Sequence, residues 1–218
     1  MGLAPAGDNS GYMQPVPLRR AFLNQQTTTA NIVSGQDVSQ LKYPLDYLMY
    51  GNSTVTESTV TAETVFVGYG IVADVFDHND YQSLDVEGKI VVALQGRPMD
   101  WPSEEGAHLA ANSEKARYAA EHGAIGFVTL HSPKREKVRS YTTLLNYLHT
   151  PTVRWLDKQG KPFGVQQQLK ASAYFNIEAG KKLFVNAPKQ LTEIFELDNS
   201  NKHIEGFALN NKLQLASS

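Results

Sequence analysis

Two short apolar runs, KIVVAL from Lys89 to Leu94 and AIGFVTL from Ala124 to Leu130, decide the fold of this sequence. Each is bounded by turn-forming residues and has the length of a buried strand. The alanine-rich residues 112–122 between them form a predicted helix that can pack closely on a sheet. Strand, helix and strand in this order predict a βαβ unit with parallel strands and a right-handed crossover.

The residues at its two ends define this predicted helix. We expect Asn112 or Ser113 to cap the amino end, and Glu114 suits the positive end of the helix dipole. Gly123 is expected to end the helix, because glycine readily adopts the left-handed conformation found there.

Outside this unit the pattern is mostly that of β-strands. We predict strands within residues 54–67, 151–156 and 207–215, and a pair of helices over 177–186 and 189–197, with Pro188 at the start of the second. The fold class is therefore α+β, mostly β as a sandwich or open barrel, with an embedded βαβ unit and a C-terminal helical pair. Residues 1–20, rich in glycine and proline, form a predicted extended arm, and residues 21–218 the domain.

The composition excludes several classes of function. A net charge of -2 over 218 residues gives no electrostatic footprint for nucleic acid. The basic run at 134–139 is interrupted by an acid, and we interpret it as a solvated loop. Cysteine is absent, which removes disulfides, thiolate metal sites and a cysteine nucleophile. No run of about 18 apolar residues is present, so no membrane span is expected.

The triplet His78-Asn79-Asp80 has the His-x-Asp spacing of many zinc hydrolases, and Glu104 and Glu105 could add a base and a ligand. A zinc site needs three or four ligands held rigidly. Both segments instead consist of turn-forming residues, whose side chains bond their own backbone. The other histidines, 108, 122, 131, 149 and 203, fit surface or capping positions. We therefore interpret the triplet as a turn and expect no catalytic or metal-binding residue.

Other catalytic motifs are weak. The sequence has no Gly-x-Ser-x-Gly elbow after a strand. Gly68-Tyr69-Gly70 lacks the third glycine and the following helix of a dinucleotide fingerprint.

Contact with a substrate or partner is expected at two loops. A βαβ unit binds ligands beyond the carboxyl ends of its strands, and residues 95–111 there are longer than an incidental loop. This loop carries Arg97, Trp101, Glu104 and His108. Trp101 either contacts a partner or folds back over the sheet edge. Residues 131–147, with Tyr141, form a second candidate, which we interpret as a solvated loop.

The order of several short segments resembles the protease-associated (PA) domain inserted into secreted two-zinc aminopeptidases (peptidase family M-twenty-eight). Residues 2–18 are similar to the segment before that insertion. The other matching segments are Val65–Ile71, Asp80-Tyr81, Leu84–Val86, Gly88–Val92 and Gly123–Gly126.

This resemblance implies a PA-like fold over 21–218, with residues 1–20 belonging to the parent catalytic domain. In that family the zinc ligands come from a following domain, whose first buried strand ends in Ala-His-x-Asp-His; no such strand follows Leu215 here. The resemblance thus implies a non-catalytic accessory domain with no cofactor of its own and with zinc in the parent. The implied partners are the catalytic domain of the same chain and a peptide or protein substrate, and the implied location is secreted, periplasmic or cell-surface.

Three hypotheses remain open from the sequence. The first is an accessory domain that gates or contacts substrate at the parent's active site. The second is an independent peptide- or protein-binding module. The third is a self-sufficient metallohydrolase using His78, Asp80 and Glu104 or Glu105. Stoichiometric zinc would favour the third, and affinity of the isolated domain for unfolded peptides would favour the second.

Overall fold

The computed structural model describes residues 2–218, in which helices surround one large mixed sheet. The helices are α1 Ser103–Leu109, α2 Asn112–Glu121, α3 Pro133–Val138, α4 Tyr141–Leu144, α5 Ile177–Leu183 and α6 Leu191–Asn199, and 3₁₀ turns lie at Asp8–Ser10, Asp74–Phe76 and Leu145–Tyr147. The strands are β1 Leu18–Ala21, β2 Thr29–Ser34, β3 Asp37–Leu41, β4 Tyr47–Leu48, β5 Ser58–Phe66, β6 Val72–Ala73, β7 His78–Asn79, β8 Ile90–Leu94, β9 Gly126–Leu130, β10 Thr152–Trp155, β11 Ala171–Phe175 and β12 Phe207–Ser217.

The large sheet has eight strands in the order β3-β2-β12-β5-β8-β9-β11-β4. Strands β5, β8, β9 and β11 run parallel to one another, and the remaining four are antiparallel to their neighbours. Helix α2 connects the parallel neighbours β8 and β9. The predicted α+β class and the βαβ unit are therefore confirmed.

The sheet curls strongly. Cα atoms of β11 approach within 8 Å of those in β5 and β12, which lie three and four positions away in the strand order. At the point of approach the Ser58 hydroxyl donates to the carbonyl oxygen of Lys170. The sheet is therefore an open barrel, the second of the two predicted arrangements.

Helices pack on both faces of the parallel strands. On one face, Gly180 of α5 lies against Leu130 of β9 and Leu191 of α6. Thr129 points to the opposite face, because side chains alternate along a strand, and there it lies near Ala116 of α2. Among residues 2–218, none of the helices combines the length and the apolar character needed to cross a bilayer.

Two small antiparallel sheets flank the barrel. Strand β6 pairs with β7, and β1 pairs with β10. The predicted arm is not extended throughout residues 2–20. The Gly7 N–H donates to the Gly11 carbonyl oxygen at 2.8 Å around the 3₁₀ turn Asp8–Ser10, and further along the arm Leu18, Arg19 and Arg20 join β10. The assignment of this arm to a parent catalytic domain stays a prediction.

One predicted helix cap and one predicted helix start are wrong. Helix α2 has Ala111 at its N-cap, with no side-chain cap, so neither Asn112 nor Ser113 caps it. Helix α6 begins at Leu191 rather than at Lys189. Its boundary is set by Gln190, whose N–H donates to Glu193 Oε1 at 3.1 Å. In the reciprocal bond of this capping box, the Gln190 side chain accepts from the Glu193 N–H, which is one of the free N–H groups of the first turn.

Three segments that were predicted to be loops contain helices. Residues 95–111 contain helix α1, and the basic run at 134–139 forms most of α3, capped by the Ser132 hydroxyl. Residues 131–147 carry α3 and α4, with His131 and Tyr141 buried rather than solvated. Strand β11, which the sequence analysis did not predict, lies between β9 and β4.

Candidate functional site

The turn after β5 is folded by Asp80. Gly68 and Gly70 both have positive φ, at 63° and 72°, which glycine adopts without steric cost. Asp80 Oδ2 accepts a hydrogen bond from the Ile71 N–H at 2.9 Å. A Cβ at Gly68 would lie 3.1 Å from Asp80 Oδ1 and 2.9 Å from the Ile204 carbonyl oxygen. The turn and Asp80 therefore form one packed unit.

His78 belongs to the same unit. Its Nε2 lies 2.9 Å from Asp80 Oδ1, although the two atoms are poorly aligned for a hydrogen bond. Asp77 turns the chain with φ 49°, and His78 then pairs with Ala73 in the β6–β7 hairpin. In the triplet, His78 and Asn79 therefore form the short strand β7 and Asp80 begins a turn, whereas the sequence predicted a turn for all three residues. Within residues 2–218, no three His, Asp or Glu side chains converge as a metal ligand set.

Trp101 folds back against the protein. Its ring stacks on Phe76, with centroids 4.7 Å apart, and meets the His78 ring edge to face at 5.0 Å. Arg97 holds the segment in place, because its Nη1 donates to the carbonyl oxygens of Pro98 and Trp101 at 3.0 and 2.9 Å. Trp101 is half-buried, so part of its ring still faces solvent.

The other predicted contact residues fall in two places. Glu104 and His108 are exposed on α1, one helical turn apart, and His108 Nε2 lies 3.9 Å from Glu114 Oε2. Tyr141 is buried in a separate cluster with Tyr174 and Leu48, and its hydroxyl donates to the Pro44 carbonyl oxygen at 2.9 Å. The structure thus groups Arg97 with Trp101, places Glu104 and His108 one turn apart on α1, and places Tyr141 among different neighbours. Their role in binding stays a prediction.

Lys115 is a fully buried cation beside the carboxyl end of β8. Its Nζ donates to the carbonyl oxygens of Leu94 and Gly96 at 2.9 and 2.6 Å. Burial lowers the pKa of Lys115 to about 7, against the opposing attraction of Asp80 and Asp198. Among the described residues no carboxylate oxygen lies within 4 Å of Nζ, and its surroundings are the two carbonyl oxygens, the Tyr69 ring at 5.7 Å and these more distant acids.

Asp198 at the end of α6 accepts from two side chains. The Tyr69 hydroxyl donates to Asp198 Oδ1 at 2.7 Å, and Lys134 Nζ lies 2.9 Å from the same oxygen. Burial raises the pKa of the Tyr69 hydroxyl, and its hydrogen bond to Asp198 raises it further. Tyr69 therefore remains a hydrogen-bond donor at any physiological pH and connects the turn after β5 to α6.

His131 forms a second buried polar group, directly after β9. Its Nδ1 lies 2.6 Å from the Tyr174 hydroxyl and its Nε2 lies 2.6 Å from Glu136 Oε2. Burial lowers the pKa of His131, and the nearby Glu136 opposes this shift. The same Glu136 oxygen accepts from the Tyr141 N–H at 2.8 Å, so this network fixes α3 and α4 against the sheet.

An open cleft of about 520 Å³ lies between the start of α2, the segment 49–53, the loop 164–170 and the outer edge of β11. We name it the β11 cleft. Its floor includes Phe127 and Thr129 of β9. The charged side chains that line it are Arg135, Arg154 and Lys170, and no Asp or Glu does so.

Sequence reasoning missed this cleft because its walls come from distant parts of the chain. Arg135 lies in a basic run whose sequence predicts a solvated loop, and Arg154 lies in a predicted strand without any local motif. For Lys115 the sequence does contain a signal. Tyr118 and Ala119 follow it by three and four residues, which places the lysine on the buried face of α2.

The comparisons with known proteins find a distant likeness among solved structures. No protein-family model and no curated protein matches the sequence. Among solved structures, the chain is similar to the aminopeptidase from Aneurinibacillus sp. strain AM-1, with a TM-score of 0.43 and 16% sequence identity over 94% of this chain. The match covers 34% of that aminopeptidase, so this chain spans about a third of its length. A likeness this distant indicates neither activity nor substrate.

Proposed function

We propose that this chain is a non-catalytic, PA-like accessory domain of a larger zinc-dependent aminopeptidase, in which it contacts the peptide substrate or limits access to the active site. In this proposal the zinc and the catalytic residues belong to the parent's catalytic domain. The parent acts outside the cytoplasm, at a secreted, periplasmic or cell-surface location.

The main support for the proposal comes from the two positions at which the chain enters and leaves the large sheet. Thr29, the first residue of β2, pairs with Ala216 near the end of β12. The chain therefore enters and leaves the large sheet at neighbouring positions. A domain with this geometry can be inserted into another domain without separating the two halves of its host.

The residues that carry the resemblance support a structural role. Gly68, Gly70 and Asp80 together form the turn after β5, and Tyr81 is buried. The carboxylate of Asp80 is engaged in that turn, and the His78 imidazole packs beside it, with Nε2 2.9 Å from Asp80 Oδ1. This use of Asp80 supports a structural role for the triplet.

The predicted contact surface lies on the segment after β8. Trp101 and His108 are accessible in part or in full, and Arg97 and α1 hold this segment in place. In the parent, these side chains would face the substrate or the catalytic domain. Buried Tyr141 would act through the placement of its neighbours.

Zinc content and hydrolysis test the proposal directly. The isolated chain, purified without contact with metal resins, is expected to contain far less than one zinc per molecule and to leave aminoacyl p-nitroanilides intact. One zinc per molecule, lost together with hydrolysis in His78→Ala and Asp80→Ala, would instead establish a self-sufficient metallohydrolase.

The full-length protein gives the complementary test. Trp101→Ala and His108→Ala are expected to change KM for peptide substrates while kcat for a minimal aminoacyl reporter is retained. Lys158→Ala, at an exposed turn away from this segment, is the matched control. Unchanged KM in both variants would contradict the assigned contact surface.

An independent peptide-binding module is the second candidate, and the β11 cleft favours it. Clefts of several hundred Å³ with converging polar groups are the usual form of ligand sites. Both candidates share a polypeptide ligand and differ in whether the isolated domain binds it.

A further inference from the structure

The β11 cleft has an unbalanced charge. Its cations, Arg135, Arg154 and Lys170, have no carboxylate oxygen within 4 Å in the described part of the chain, where ten ion pairs join other side chains. Arg135 and Arg154 are both half-buried. Partly desolvated cations without a carboxylate partner favour an anion in the cleft.

Among these cations, Arg154 has a buried nitrogen atom, Nε, that makes no hydrogen bond in the described part of the chain. Directly across the β1–β10 ribbon stands a second cation, Arg19, whose guanidinium donates to the carbonyl oxygens of Ser53 and Gly160. Like charges in a cross-strand pair repel each other. A carboxylate in the cleft would relieve this repulsion by accepting from the guanidinium group of Arg154, which lines the cleft.

The opposite wall of the cleft adds to the positive potential. Arg135 projects from α3, and α2 begins at the rim with Asn112 and Ser113. The N-cap residue Ala111 supplies no side-chain acceptor to this first turn. Glu114 in the same turn offsets the positive end of the helix dipole, so the positive potential of the cleft comes from its cationic side chains.

The third feature of the cleft is a free strand edge. Alternate residues of β11 direct their backbone groups to opposite sides. His131 N–H donates to the Phe175 oxygen, so the groups of Phe175 face β9, and those of Tyr174 and Ser172 face outward. Tyr174 pairs with Leu48 of β4, but β4 ends there. In the described residues no strand pairs with the outer side of Ser172, which lines the cleft and is exposed.

We propose that the β11 cleft binds an extended, acidic polypeptide segment, which pairs with β11 at Ser172 and places carboxylates on Arg135 and Arg154. Backbone pairing at a free edge supplies affinity, and the arginines select acidic side chains. The inference rests on the proposed function only in taking the ligand to be a polypeptide. It adds the chemical class of that ligand and the residues that bind it.

Fluorescence anisotropy with labelled heptapeptides tests the charge requirement. The probe alternates Thr and Glu, so that its carboxylates share one face of a strand. Peptides with Gln or with Lys in place of Glu are the comparison. We expect saturable binding of the Glu peptide to the intact 218-residue chain, about tenfold or more tighter than the Gln peptide, and weaker at high salt. Equal binding of Glu and Gln peptides would overturn the proposal.

Matched variants locate the site. Arg135→Gln and Arg154→Gln are each expected to weaken binding of the Glu peptide about tenfold or more, with circular dichroism and Tm confirming that the fold is retained. Lys137→Gln removes an exposed charge from the same helix as Arg135 and should bind as the unmodified chain does. Unchanged affinity in both arginine variants would contradict the assignment.

A backbone probe separates a polypeptide from a small anion without altering the protein. A Glu peptide that is N-methylated at alternate residues keeps its charge but cannot donate to Ser172, and we expect it to bind poorly. If it binds fully, or if millimolar inorganic phosphate displaces the unmodified peptide completely, the cleft is a small-anion site and the proposal fails. Because no step measures zinc or hydrolysis, this failure is distinguishable from failure of the accessory role.

Discussion

Tyr69 and Asp198 lie 129 residues apart in the chain and are joined by a hydrogen bond of 2.7 Å. This bond connects the turn that follows β5 to the last turn of α6. Lys134, on α3, approaches the same Asp198 oxygen at 2.9 Å. One buried carboxylate thus holds together three segments around the carboxyl ends of the parallel strands.

We expect Tyr69→Phe to lower the free energy of unfolding by about 1–3 kcal/mol, because Asp198 loses a donor while it stays buried. Chemical denaturation followed by fluorescence measures the change. Tyr147→Phe is the control, since that side chain is exposed and should alter stability little. Equal effects of the two substitutions would show that the Tyr69 bond contributes nothing.

Lys115 should make stability depend on pH in the alkaline range. Its pKa falls from 10.5 in the unfolded chain to about 7 in the folded protein, so between these values the unfolded state binds the proton more tightly. Stability should therefore rise with pH from about 7, by at most about 1.4 kcal/mol per pH unit. Above pH 10 the buried tyrosines, whose pKa values are raised, oppose this trend.

Lys115→Met, compared with the exposed Lys137→Met, tests this prediction. Denaturation at several pH values between 7 and 9.5 should give a flatter profile for Lys115→Met and the original slope for the control. A slope retained in Lys115→Met would assign the dependence to another group.

Asp80 and His78 should contribute unequally to stability. Asp80→Ala leaves the buried N–H of Ile71 without its acceptor, a loss of about 1–3 kcal/mol. His78→Ala removes the contacts with Asp80 and Trp101 but leaves no backbone group unsatisfied, so its effect should be smaller. Thermal unfolding in the presence of a chelator measures both. If Asp80 and His78 instead ligated a metal, the two substitutions would lower stability equally while the metal is bound, and both losses would vanish once the metal is removed.

His131 should make the fold sensitive to mild acid. Because its pKa is lower in the folded than in the unfolded state, its contribution to stability is complete above pH 6.5 and is lost as pH falls through the folded-state value. His131→Gln keeps a donor and an acceptor for Tyr174 and Glu136 and should flatten the stability profile between pH 6.5 and 5. His149→Gln, at an exposed histidine, should leave that profile unchanged.

The strands that the sequence predicted share one property, an apolar or β-branched run that can be recognised without knowledge of the fold. KIVVAL and the run 54–67 are of this kind, and both form strands. Strand β11, with the sequence ASAYF, begins with small residues that have little β propensity. Its position is set by pairing with β9 on one side and β4 on the other, which local sequence does not reveal.

The site was less predictable than the fold for a similar reason. The turn at His78 and Asp80 could be recognised from its own residues, because turn chemistry is local. The β11 cleft brings together Arg135 of α3 and Arg154 of β10, and their shared place in one cleft depends on tertiary packing rather than on local sequence. Burial of Lys115 and His131 likewise depends on packing rather than on adjacent sequence.

The place of β12 between β2 and β5 has a consequence for synthesis on the ribosome. The β2–β3 hairpin is translated early, yet in the described part of the chain it is linked to β5 in the sheet by β12, which is translated only with residues 207–217. Until then the nascent chain exposes one unpaired edge on β2 and another on β5. Such edges are the surfaces that chaperones protect during translation, and a stalled or truncated chain would keep them open to aggregation.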